Sequence, residues 1–114
     1  MSFLDQLLRQ MSEKNASDLF ITAGASVYMK IEGRMFAVGT AAMTPSIIDR
    51  IASEVMNPDQ LAEFLLELEF NAAVSVEGVG RFRVNVFRQR GEISMVFRSI
   101  KTIIPQIEEL NLPS

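Results

Sequence analysis

Cysteine is absent from this 114-residue chain, and so is histidine. Without cysteine there is no disulfide framework and no thiolate chemistry. Without histidine the usual general base is missing, and a metal site would have to be built from carboxylates alone. No apolar run approaches the ~20 residues that a helix needs to cross a bilayer. The first eleven residues do not read as a secretory leader, because Asp5 and Arg9 interrupt their apolar pattern. A phosphate-cradling loop of the form G-x-x-x-x-G-K-[ST] is lacking too, since none of Lys14, Lys30 and Lys101 follows a glycine. Gly78-Val79-Gly80 is a lone G-x-G between two strand-like runs and reads as a turn. The serines have no histidine to activate them. These absences predict a soluble intracellular protein with no self-contained catalytic or metal centre.

What is present suits one domain with a real core. Apolar residues make up 48% of the chain. The net charge of -3 hides an asymmetry. From Glu54 to Glu77 there are six acidic residues and no basic one; from Arg81 to Lys101 there are six basic residues and a single acid, Glu92. Such blocks suggest complementary surfaces, within the fold or between copies. The acidic overall balance argues against nucleic-acid binding.

The chain starts with a helical stripe, Phe3, Leu4, Leu7, Leu8 and Met11, capped by Ser2 and ended by Asn15 and Ala16. Ser17 to Ala23 reads as a strand. Val27–Ile31 and Met35–Val38 read as a hairpin about Glu32-Gly33-Arg34, where Gly33 supplies the unusual dihedral. Thr44-Pro45 starts a second helix with Ile47, Ile48, Ile51 and Val55 as its buried stripe. Asn57-Pro58-Asp59-Gln60 starts a third, with Gln60 placed for a capping box. Its expected inward residues are Leu61, Phe64, Leu65 and Leu68, while Glu63 and Glu67 face water. Those acids are most simply a solvated surface, and a metal site there has little to recommend it. Phe70–Val76 is a further strand. Grouped strands predict an α+β fold: a mostly antiparallel sheet of about six strands, with helices on one side, in the order α-β-β-β-α-α-β-β-β.

The most informative stretch is GVGRFRVNVFRQRGEISMVFRSI, from Gly78 to Ile100. Alternation puts Phe82, Val84 and Val86 on one face of a strand, and Arg81, Arg83 and Asn85 on the other. In the returning strand Ile93, Met95 and Phe97 oppose Ser94, Val96 and Arg98. A turn at Gln89-Arg90 pairs Phe82 with Phe97, and a turn at Arg90-Gly91 shifts the pairs but keeps the faces. Both registers bring Arg98 beside Arg81 or Arg83. Like charges opposed across strands repel. A solvated face tolerates them; an anion docked there would explain them. A guanidinium stays charged, and its fork matches phosphate oxygens. Arginines on a rigid sheet can therefore assist phosphoryl transfer at a nucleotide held by another domain.

The runs ASDLFITAG (Ala16 to Gly24), YMKIEGRM (Tyr28 to Met35) and EFNAAVSVEGVGRFRVNVFRQRGEISMVFRSI (Glu69 to Ile100) resemble the N-terminal domain of type IV pilus retraction motors. These are the PilT/PilU proteins of the secretion ATPase superfamily. The RQRG turn resembles the PilU branch more than PilT. The resemblance implies that residues 1–100 form a PAS-like domain. Residues 101–114 would then begin a linker to a RecA-like domain that binds ATP and Mg, outside this fragment. It also implies a hexameric ring in which each N-terminal domain packs on the neighbouring ATPase domain. Arg81, Arg83 and Arg98 match the basic positions that approach nucleotide phosphates in trans. The implied setting is the cytoplasmic side of the inner membrane, with the pilus platform protein and a paralogous retraction motor as partners. The ring would pull pilin from the fibre during twitching motility. The fragment itself is expected to be non-catalytic and free of cofactor. One departure stands out: the family run S-D-L-H is Ser17-Asp18-Leu19-Phe20 here. Two alternatives stay open. One is a stand-alone PAS-like module that senses a small ligand; the other is the equivalent domain of a pilus-assembly or type II secretion ATPase.

Overall fold

Three side chains open the three helices of the computed structural model, which describes residues 2–89 and 91–100. Ser2 Oγ accepts from the Asp5 backbone N–H at 3.0 Å and starts α1 (Phe3–Glu13). Thr44 Oγ1 accepts from Ile47 N–H at 3.2 Å ahead of α2 (Pro45–Val55), whose first residue is proline. Before α3 (Pro58–Glu67), Asn57 and Gln60 exchange hydrogen bonds of 2.8 and 2.9 Å, the reciprocal box expected from their spacing. Each cap satisfies a backbone donor that a helix start leaves without a partner.

The strands are β1 (Asp18–Thr22), β2 (Val27–Ile31), β3 (Arg34–Val38), β4 (Glu69–Val76), β5 (Gly80–Gln89) and β6 (Glu92–Ile100). They form one antiparallel sheet in the order β3-β2-β1-β6-β5-β4. Two three-strand meanders thus meet at the β1–β6 pair, which joins residues about 80 positions apart. The fold is α+β, as the grouping of strands implies. The β2–β3 turn has both Glu32 and Gly33 at positive φ, 51° and 81°. In β5–β6, Gln89 lies opposite Glu92 and Val84 opposite Phe97. That is the second of the two registers the sequence allowed.

The core lies between the helices and one face of the sheet. Leu4, Leu7, Leu8 and Met11 of α1, Ile48 and Ile51 of α2, and Phe64 of α3 cluster with sheet residues including Leu19, Ile21, Val84, Met95 and Phe97. Period-two alternation then turns Asp18, Phe20, Arg81, Arg83, Val96 and Arg98 to the opposite face.

Some residues expected in the core are outside it. Leu65 and Leu68 are each 51% exposed, and only Phe64 of α3 is fully buried. The cause is the end of the helix. Leu68 adopts a left-handed conformation (φ 64°) as the C-cap, so it leaves the helical wheel and turns the chain into β4. Leu65 then sits at the margin of a short stripe. Phe3, at the first turn of α1, is also exposed. Ile47 and Val55 are half-buried, with Ala52 taking the buried position on α2. The expected linker, 101–114, lies outside the described residues.

Candidate functional site

The three arginines singled out by the sequence come to one face. Arg81 and Arg83 project from β5 and are exposed. Arg98, on β6, lies directly opposite Arg83, and Arg81 lies opposite Ile100, diagonal to Arg98. Directly opposed strand residues hold their Cα atoms about 4.5–5.5 Å apart. Two guanidinium stems are therefore rooted side by side on a hydrogen-bonded ribbon. Arg88 belongs to neither this face nor this end: it pairs with Ile93 near the hairpin tip and donates to the Gly91 carbonyl at 3.1 Å.

Asp18 supports the pair from the neighbouring strand. It is opposite Arg98 across β1–β6. Its Oδ1 accepts from Arg98 Nε at 3.1 Å, and its Oδ2 accepts from Ser17 Oγ at 2.9 Å. The Asp18 carboxylate is buried, whereas the Arg98 side chain is 72% exposed. Using Nε alone leaves the two terminal nitrogens of Arg98 at the surface. Arg81 and Arg83 make no ion pair among the described residues.

Register extends this into two rows. One runs Lys30, Asp18, Arg98, Arg83 and Ala73 across β2, β1, β6, β5 and β4. The next runs Tyr28, Phe20, Val96, Asn85 and Asn71 across the same strands. Asn85 Nδ2 donates to Asn71 Oδ1 at 2.8 Å and to Glu69 Oε2 at 3.2 Å, which fixes both amides. Arg83, Arg98, Asn71, Asn85 and Val96 line an open depression of about 430 Å³. A larger depression of about 660 Å³, beside Gln10, Lys14 and Phe36, lies away from the arginines. The smaller one is the stronger candidate, because two arginines line it beside Asn85 and Asn71, whose amides are held by hydrogen bonds. It offers charge-assisted hydrogen bonds to an anion and has no nucleophile or base. Among the described residues, no group of three or more carboxylates could hold a metal ion.

Asp18, the two asparagines and the aromatic pair Phe20 and Tyr28 were not singled out by sequence reasoning as site residues. Alternation in β1 does turn Asp18 away from Leu19. What the sequence withholds is its partner, because β1 and β6 are brought together only by the tertiary fold.

Fold and sequence comparison agree on the class. The chain is 46% identical over 109 residues to the type IV pilus ATPase PilU of Pseudomonas aeruginosa, a match that covers 96% of this chain. It is 29% identical over 109 residues to the retraction ATPase PilT of the same organism, again covering 96% of this chain. A crystal structure of the pilus retraction motor PilT with bound ADP superposes with a TM-score of 0.83 at 28% identity, covering 96% of this chain and 32% of that one. No protein-family model matches the chain. In sequence and in fold it is similar to the N-terminal domain of PilT/PilU retraction ATPases. Within that class its identity to the PilU relative exceeds that to the PilT relative. The chain spans 28% of the PilU relative and 32% of the PilT relative.

Proposed function

We propose that this domain is the non-catalytic N-terminal part of a hexameric ATPase that drives type IV pilus retraction. Its outer sheet face packs on the ATPase domain of the neighbouring subunit and completes the ATP site there. The observation that carries the reading is the direct opposition of Arg83 and Arg98, both facing outward on a rigid ribbon. A sheet holds such like-charged neighbours at a cost, and that cost falls when an anion lies between them. The relationship to pilus ATPases makes a nucleotide triphosphate the natural anion. Arg83 and Arg98 would hold its phosphate oxygens, with Arg81 flanking them. ATP bound there would supply the phosphoryl group and Mg would neutralise charge on it, while Arg83 and Arg98 would present oriented cations to its phosphate oxygens.

The setting follows from the same reading: the cytoplasmic side of the inner membrane, against the pilus platform protein and alongside a paralogous motor. No helix among the described residues is long and apolar enough to cross a membrane.

Subunit mixing tests the trans arrangement in the full-length protein. One subunit carries Arg83→Ala with Arg98→Ala, and the other carries an inactivated phosphate loop. Each population alone hydrolyses ATP poorly. Mixed rings regain turnover when a wild-type N-terminal domain meets a neighbour's intact phosphate loop. Mixed rings no faster than the parents would contradict the reading.

A further inference from the structure

The outer face carries a second feature that the arginines do not explain. Tyr28 and Phe20 are directly opposed on β2 and β1, one row from Lys30, Asp18 and Arg98. Tyr28 is 39% exposed, and Phe20 is half-buried. Both belong to the face turned away from the helices. Val96 continues the row on β6 and joins it to the depression between Arg83 and Arg98. An apolar strip bordered on one side by the row of Lys30, Asp18, Arg98 and Arg83, in which Arg98 is held by Asp18, therefore lies on an open sheet.

We infer that Phe20 and Tyr28 form a stacking shelf for the base of a nucleoside triphosphate whose phosphates lie on Arg83 and Arg98. The chemistry selects this ligand. Open antiparallel sheets take up bases by stacking them on aromatic side chains while neighbouring cations hold phosphates. Stacking needs only a π-face, so the shelf does not choose among bases. The spacing fits: Phe20 and Arg98 are one strand and two residues apart, which sets their Cα atoms about 8 Å from each other. The ribose bridges that interval. Asp18 lies on the same row as the cations, but its two oxygens are turned to Ser17 and Arg98. It therefore does not offer a free carboxylate to the incoming phosphates. The inference rests on the arginine reading above and adds the subsite for the base.

Tripolyphosphate and ATP separate the two ideas, because only ATP has a base. Both ligands, ATP as a non-hydrolysable analogue, are titrated by calorimetry into the full-length protein assembled as a ring, where the neighbouring ATPase domain holds the nucleotide. The arginine reading requires tripolyphosphate to bind and Arg83→Ala to weaken it. The shelf requires ATP to bind about tenfold more tightly than tripolyphosphate. Phe20→Ala and Tyr28→Ala should each remove most of that advantage and leave tripolyphosphate affinity unchanged, which also shows that the variants are folded. Phe20→Trp should restore it. Equal affinities for the two ligands, or ATP binding insensitive to both aromatic truncations, overturns the shelf while the arginine reading stands. That outcome would leave the aromatic strip to a protein partner. Failure of both ligands to bind overturns both.

Discussion

Arg98 Nε donates to Asp18 Oδ1 at 3.1 Å, tying two strands whose residues are far apart in sequence. The pair is asymmetric, with the carboxylate buried and the guanidinium 72% exposed. An exposed ion pair contributes little by itself. A buried carboxylate that loses its partner is costly, because its oxygen is then left without a donor. Arg98→Ala should therefore destabilise this chain by about 1–2 kcal/mol in urea unfolding. Arg98→Ala made in an Asp18→Asn background should cost clearly less. Equal costs in the two backgrounds would mean that the contact carries no coupling.

Arg83 pairs with no carboxylate among the described residues. Its removal relieves repulsion with Arg98, so Arg83→Ala should leave stability unchanged within about 0.5 kcal/mol or raise it slightly. Added salt should narrow any gain, since it screens the two exposed charges. A loss comparable to that of Arg98→Ala would show that Arg83 has a structural partner after all.

Ser94 offers a different test. Its hydroxyl is buried without a hydrogen-bond partner among the described residues. A buried unsatisfied hydroxyl costs free energy, so Ser94→Ala should stabilise the chain by up to about 1 kcal/mol. Chemical unfolding of that variant decides it, and a clear loss of stability would show that the hydroxyl is paired.

On α3 the contrast between neighbours is large. Phe64 is fully buried and Leu66 is 82% exposed. Phe64→Ala should cost about 3–5 kcal/mol, whereas Leu66→Ala should change stability by no more than about 0.5 kcal/mol. Thermal unfolding of both variants checks the pair, and a large loss for Leu66→Ala would contradict the burial pattern.

Much of this architecture is legible in the sequence. The capping box at Asn57 and Gln60 is local chemistry, and local chemistry can be read from spacing. The two faces of the β5–β6 ribbon followed from alternation, whichever turn closed it. Leu65 and Leu68 misled because a helical wheel assumes that the helix continues, and the left-handed cap at Leu68 ended it. The site was half legible for a related reason. Arg83 and Arg98 lie on one hairpin, so their neighbourhood was fixed by a short turn. Asp18 and Phe20 reach the same face only through the β1–β6 pairing, a long-range contact that no local pattern encodes.

The central claim is that the outward guanidinium pair acts on ATP held by another domain. ATP turnover of the full-length protein at saturating nucleotide, measured for Arg83→Ala against wild type, tests it most directly. Arg83 makes no ion pair among the described residues, so its truncation should leave folding intact. The account predicts a fall in kcat of about tenfold or more, with the ring still assembled. An unchanged kcat in an intact ring would contradict it.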